Sequence, residues 1–123
     1  VVAWFEELAA TSAAPMVAVV EAAVRVETGS FRFYDRLVVV EAPLALRQKR
    51  ALAAGWLEKA FTAVVAAQAS DEARRAVANY VVVNDGDDAL LRARAGRLWA
   101  ALRADSERLR AGESLPQGVT VLA

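Results

Sequence analysis

The 123-residue sequence contains no cysteine and no histidine, and each absence removes a class of chemistry. Without thiols there is no disulfide, no thiolate nucleophile and no sulfur-ligated metal. Without imidazole the chain lacks the commonest metal ligand and the commonest general base near neutral pH. Charge of one sign is lacking too, since 15 basic residues face 15 acidic ones and the pI is about 6.5. That balance gives no electrostatic case for nucleic acid or an anionic membrane as a partner. The strongest apolar run, 16–20, falls far short of the ~20 residues a membrane-spanning helix needs. No basic segment precedes it, so it does not read as a signal peptide. A cytoplasmic protein is expected.

What is present suits one core. At 57% apolar residues the chain can bury an interior, and no low-complexity segment or internal boundary divides 1–123. It opens Val-Val without an initiator Met, in what reads as mid-helix, so an amino-terminal portion is expected to precede it.

Along the chain, 1–10 places Trp4, Phe5 and Leu8 on one helical face with Glu6 and Glu7 outside. Pro15 ends that helix. The run 16–20 has the pattern of a strand buried on both faces, and 37–40 repeats it. A turn at 27–30 and a short aromatic connector at 31–35 lie between them. Pro43 opens a helix that carries Arg47, Lys49 and Arg50, and Gly55 interrupts it. A further helix bears Phe61, Val64, Val65 and Gln68. Ser70, followed by Asp71 and Glu72, caps the next one. Residues 80–83 form a third apolar strand, closed by Asn84-Asp85-Gly86. The last long helix, about 87–110, puts Leu91, Ala95, Leu98 and Leu102 on one stripe. The tail 112–123 either frays or adds an edge strand. Strands separated by helices imply a parallel α/β sheet, and three strands make half of an ordinary doubly wound one.

The motifs that usually mark phosphate chemistry are missing. There is no G-x-x-x-x-G-K-[ST], neither Lys49 nor Lys59 follows a glycine, and no G-x-G-x-x-G occurs. No acidic residues have metal-site spacing. Weaker signals remain, each with two readings. The Arg47, Lys49 and Arg50 cluster either faces phosphates or is a solvated helix face, and Arg74-Arg75 divides the same way. Asn84-Asp85-Gly86 either shapes an adenine pocket or is only a turn at a strand's carboxyl end. Trp56 and Trp99 read as packing. Gln68, on an apolar helical face, is an amide that needs partners.

In order and spacing, these pieces resemble the carboxyl-terminal half of the dephospho-CoA kinase family. Ala67-Gln68-Ala69-Ser70, Glu72 and then the stretch A-N-Y-V-V-V-N-D-G at 78–86 resemble the family's A-Q-x-S and A-D-x-V-I-D-N-x-G segments. Glu27-Thr28-Gly29, followed by Tyr34-Asp35-Arg36 and the apolar run 37–40, is similar to its E-T-G and F-D-x-V-V-V-V segments. The resemblance covers about 16–104.

It implies a three-layer, parallel-sheet fold of the P-loop kinase kind, here without the P-loop strand and helix, with lid-like helices at about 44–69. It also implies ATP-dependent phosphorylation of the ribose 3′-hydroxyl of dephospho-CoA, with ATP and Mg²⁺ in attendance and no metal site in this chain. By the same resemblance Arg50, Asn84 and Gly86 border the nucleotide, while Glu27, Gln68 and Arg74 line the dephospho-CoA side. No catalytic residue is assigned, because the family's P-loop Lys and catalytic Asp belong to the portion not present. The family's P-L-L-F-E segment is Ala23-Val24-Arg25-Val26-Glu27 here, a second lid Arg is replaced by Ala54, and the motif Asp is Asn79. Three readings therefore stand: a kinase segment inactive alone, a non-catalytic interaction module built on the kinase fold, and a different nucleoside or nucleotide kinase. Self-association, or pairing with a P-loop-bearing segment, is expected from the exposed sheet edge.

Overall fold

A computed structural model describes residues 7, 10, 17–22 and 25–123. Two strands arise where the β-branched runs lie: β1 (Val38–Glu41) and β2 (Tyr80–Val83). A third, β3 (Thr120–Leu122), comes from the tail, so the tail adds an edge strand. The strands pair in the order β1-β2-β3, all parallel, with Val39 opposite Val81 and Val81 opposite Val121.

Parallel strands need long crossovers, and helices supply them. Before β1 come one helical turn, α1 (Arg25–Thr28), and a 3-10 turn (Ser30–Phe33), separated by Gly29 at φ 72°. Between β1 and β2 run α2 (Leu44–Ala53), α3 (Glu58–Ala67) and α4 (Asp71–Val77). Gly55, at φ 95°, turns the chain between α2 and α3. The Ser70 hydroxyl caps α4 by accepting from the Ala73 N–H at 3.1 Å. Asp87 caps α5 (Asp88–Arg110) by accepting from the Leu90 N–H at 2.9 Å. α5 leads to β3.

The register sorts the side chains by face. Val39, Val81 and Glu41 share one face; Val40, Tyr80, Val82 and Leu122 share the other. Helices flank both. Arg75 of α4 pairs with Glu41 at 2.6 Å on the first, and the Tyr80 hydroxyl donates to Asp105 of α5 on the second. Val81 is fully enclosed, and with Val39 and Ala78 it forms the centre of the core. The architecture is α/β, a parallel sheet with helices on both faces.

Two polar fixtures hold the layers. Asn79 Oδ1 accepts from the Leu37 N–H at 2.8 Å, its own N–H donates to Leu37 O, and its carbonyl accepts from Thr120 N. One residue thus stitches all three strands. Asp105, only 3% exposed, accepts from Arg36 Nε at 2.9 Å, from Arg108 at 3.1 Å and from Tyr80. Arg36 also donates to Pro116 O, tying down the segment that leads into β3.

Three expectations change. Residues 17–20 form no strand, and Val19 is 76% exposed. An apolar run becomes a buried strand only where a neighbour takes its N–H and C=O groups, and no described residue pairs with this one. Trp56 and Trp99, expected to pack, are 47% and 50% exposed. The stripe of α5 passes through Arg94 and Asp105, while Ala95 is exposed. The helix expected over 1–10 lies outside the described residues except for Glu7 and Ala10, which are helical, and Met16, Ala23 and Val24 also lie outside them.

Candidate functional site

The Asn84-Asp85-Gly86 loop leaves the carboxyl end of β2, the end at which open parallel sheets bind ligands. Asn84 N donates to Glu41 O at 2.7 Å, the last bond joining it to β1. Arg50, in the last turn of α2, reaches the loop from one side. Its Nη1 donates to Asn84 O at 2.8 Å and its Nη2 to Gly86 O at 3.3 Å. The three residues expected at the nucleotide therefore meet, with the guanidinium engaged by two backbone carbonyls.

A fourth residue was not anticipated. Arg94 of α5 donates through Nη1 to Val83 O and to Asp85 Oδ1, the latter at 2.6 Å. Its side chain is 10% exposed, and its Nε has no partner. The hydrogen bond from Arg94 holds the Asp85 carboxyl below its ordinary range. A signal for it existed: Leu91, Arg94 and Leu98 stand at i, i+3 and i+7, so a cation interrupts an otherwise apolar stripe.

Glu27, Gln68 and Arg74 form a second cluster. Glu27 Oε1 accepts from the Ala69 N–H at 2.5 Å and lies 3.5 Å from Arg74 Nη2, linking α1 to the start of α4. The Ala69 N–H, ahead of Arg74, holds the Glu27 carboxyl below the usual carboxylate range. Gln68 ends α3 one residue before this contact, half-buried. The basic cluster on α2 divides its work: Arg47 faces Asp71 at 3.4 Å, Lys49 is exposed and Arg50 grips the loop. Arg47 keeps a buried Nε without a partner. Arg75 is taken by Glu41.

At Asn79, where the resemblance has an Asp, the side-chain oxygen accepts the Leu37 N–H, a role that a carboxylate oxygen can also fill. Ala54 follows the last turn of α2, and its N–H closes that turn on Arg50 O and Ala51 O. A depression lined by Glu58, Lys59, Thr62, Ala63 and Ala66 flanks α3 and includes none of the expected site residues. Among the described residues no group of three or more Asp or Glu side chains gathers as a metal site would require. No helix among them is long and apolar enough to cross a membrane.

A parallel sheet flanked by helices, with a doubly gripped loop at a strand's carboxyl end, defines the class as α/β, an architecture that a P-loop kinase-like domain shares. Comparison with known proteins narrows it. The model of the dephospho-CoA kinase family matches residues 2–89, and the chain belongs to that family. A dephospho-CoA kinase of Dechloromonas aromatica is 40% identical over 89 residues, which cover 70% of this chain and 43% of that protein. One from Thermobifida fusca is 33% identical over 99 residues, 80% of this chain and 50% of its own length. One from Methylococcus capsulatus is 43% identical over 68 residues, 54% of this chain and 34% of its own. The chain spans half or less of the length of these curated relatives.

Proposed function

We propose that this chain supplies the adenine side and the dephospho-CoA side of a kinase that transfers the γ-phosphoryl of ATP to the 3′-hydroxyl of dephospho-CoA. The observation that carries the reading is the grip of Arg50 on the Asn84 and Gly86 carbonyls, which unites all three residues expected at the nucleotide. In this reading the 84–86 loop borders the adenine. Arg50 fixes that loop and, through the donors its two carbonyls leave over, is the cation nearest the phosphates. Glu27, Gln68 and Arg74 face dephospho-CoA, and α2 with α3, neither of which buries a residue, act as the lid within a single domain over 1–123.

Phosphoryl transfer is mostly positioning and charge neutralisation, with Mg²⁺ arriving on ATP. A chain without a P-loop Lys cannot complete that cradle, so turnover needs a P-loop-bearing segment joined to it or paired with it. Val40, 59% exposed on a face where Val82 and Leu122 are covered, supports the outer side of β1 as the place of pairing. The isolated chain is expected to melt higher with ATP or dephospho-CoA, by mass action, and to release no ADP. ADP release well above background from the 123-mer alone would overturn the need for a P-loop segment.

A non-catalytic interaction module is the second reading. It is favoured by the exposed Leu52, Trp56 and Leu57 where α2 turns into α3. Melting curves unmoved by ATP, GTP, dephospho-CoA and coenzyme A would favour it. A shift with another nucleoside acceptor in place of dephospho-CoA would favour a different nucleotide kinase.

A further inference from the structure

α5 packs on β2 and β3 through the side that buries Arg94 and Asp105. Its opposite side carries a patterned stripe. Asp88, Arg92, Ala95 beside Gly96, Trp99 and Arg103 follow one another along that side, all of them exposed. Among the described residues Arg92, Trp99 and Arg103 have no hydrogen bond, ion pair or ring contact. Gly96 is the oddest member. A glycine inside a helix is destabilising relative to alanine, and a Cβ at this position would meet nothing within 4 Å. No contact within the described chain calls for it.

An acid at one end, bases beyond it and an indole between them suit neither a purely anionic nor a purely apolar partner. The stripe is complementary to itself. In a two-fold, antiparallel pairing that crosses at Ala95 and Gly96, Arg92 of each copy lies opposite Trp99 of the other, because the two residues are equally far from the axis. By the same symmetry Asp88 of each copy lies opposite Arg103 of the other. We infer that α5 is a self-association surface, pairing with α5 of a second copy of this chain through this stripe. The small residues at the crossing let the two axes approach to the near end of the ~8–10 Å range of packed helices. A guanidinium within ~6 Å of an indole ring is drawn to its face, and the two-fold makes that contact twice. The antiparallel direction also opposes the two helix macrodipoles. None of Glu27, Arg50, Gln68, Arg74, Asn84 or Gly86 belongs to the stripe, so the inference stands apart from the proposed function.

With 23 residues α5 is a rod about 34 Å long. One helix pair of that length falls below the ~1,200 Å² of a stable complex, so the dimer is weak and forms at high concentration. The test is sedimentation equilibrium of the full 123-residue chain from about 1 to about 500 µM. Gly96→Gln raises helix propensity and puts a bulky side chain at the crossing; it should melt no lower than wild type yet dissociate about tenfold more readily. Asp88→Arg and Arg103→Asp each turn two attractions into repulsions, and each alone should weaken association about tenfold. An equimolar mixture of these two variants should associate as tightly as wild type, since each copy then supplies the charge that the other needs. Raised salt should weaken the wild-type dimer. A wild type that stays monomeric at about 500 µM would overturn the inference. So would charge variants whose mixture stays weak, or association that all three variants leave unchanged, which would assign it to the open sheet edge. Should Asp88→Arg not fold, Trp99→Ala reads the same interface, with association expected to fall about fivefold and an unchanged value counting against the pairing.

Discussion

Two arginine-built networks brace this chain, and they are built to opposite plans. Around Asp105 three donors converge on one carboxylate whose side chain is only 4% exposed, and every contact joins elements distant in sequence or adjacent helical turns. Around the 83–86 loop the order is inverted: two guanidiniums spread over four oxygens, Asp85 is open to solvent, and Arg94 Nε is unmatched. A closed node resists change, because any loss strands a buried charge. An open grip holds a loop without sealing it, leaving the surface exposed to a ligand. The first arrangement suits a scaffold and the second suits a site.

Removing the scaffold node should have the largest effect. Asp105→Ala leaves Arg36 and Tyr80 without their shared acceptor, at a cost of about 3–5 kcal/mol. Denaturant melts of the full chain check this, and a loss under about 1 kcal/mol would make the two networks equivalent. Acid should separate them next. Burial pushes the Asp105 carboxyl up, but hydrogen bonds from Arg36, Tyr80 and Arg108 prevail and hold it below its ordinary value. A carboxylate depressed in the folded state stabilises fully above the unfolded value near ~4, and that stabilisation disappears as pH falls through the folded value. Wild-type stability should therefore drop on acidification below about pH 4, and Asp105→Asn, weaker from the outset, should show a shallower drop. Parallel curves for the two proteins would assign the acid response elsewhere. The smallest effect belongs to Glu27→Gln, which keeps an acceptor for the Ala69 N–H and loses only the charge facing Arg74. Both side chains are partly exposed, so stability should change by less than about 1 kcal/mol. Dephospho-CoA binding should fall further than stability does, and binding that tracks stability alone would remove Glu27 from the substrate side.

The sequence made the pattern visible and left the partners hidden. The apolar runs at 37–40 and 80–83 were readable as strands because composition and length suffice for that, and the first formed one residue later, at Val38–Glu41. The same pattern at 16–20 misled, since a run of valines does not say which edge it will join. The Asn-Asp-Gly turn was plain. Its grip was not, for Arg50 meets Asn84 across 34 residues of chain. Arg94 and Asp105 were passed over for a related reason: tracing a helix by its apolar residues steps past the charged ones on the same face. That habit moved the stripe onto Ala95, which faces solvent.

Asn79 carries a consequence for the order of events in acid. The seam it makes between three strands uses an amide, which neither gains nor loses a proton across the range where Asp105 does. Acid should therefore dismantle the molecule from the outside inward, loosening α5 while the strands stay in register.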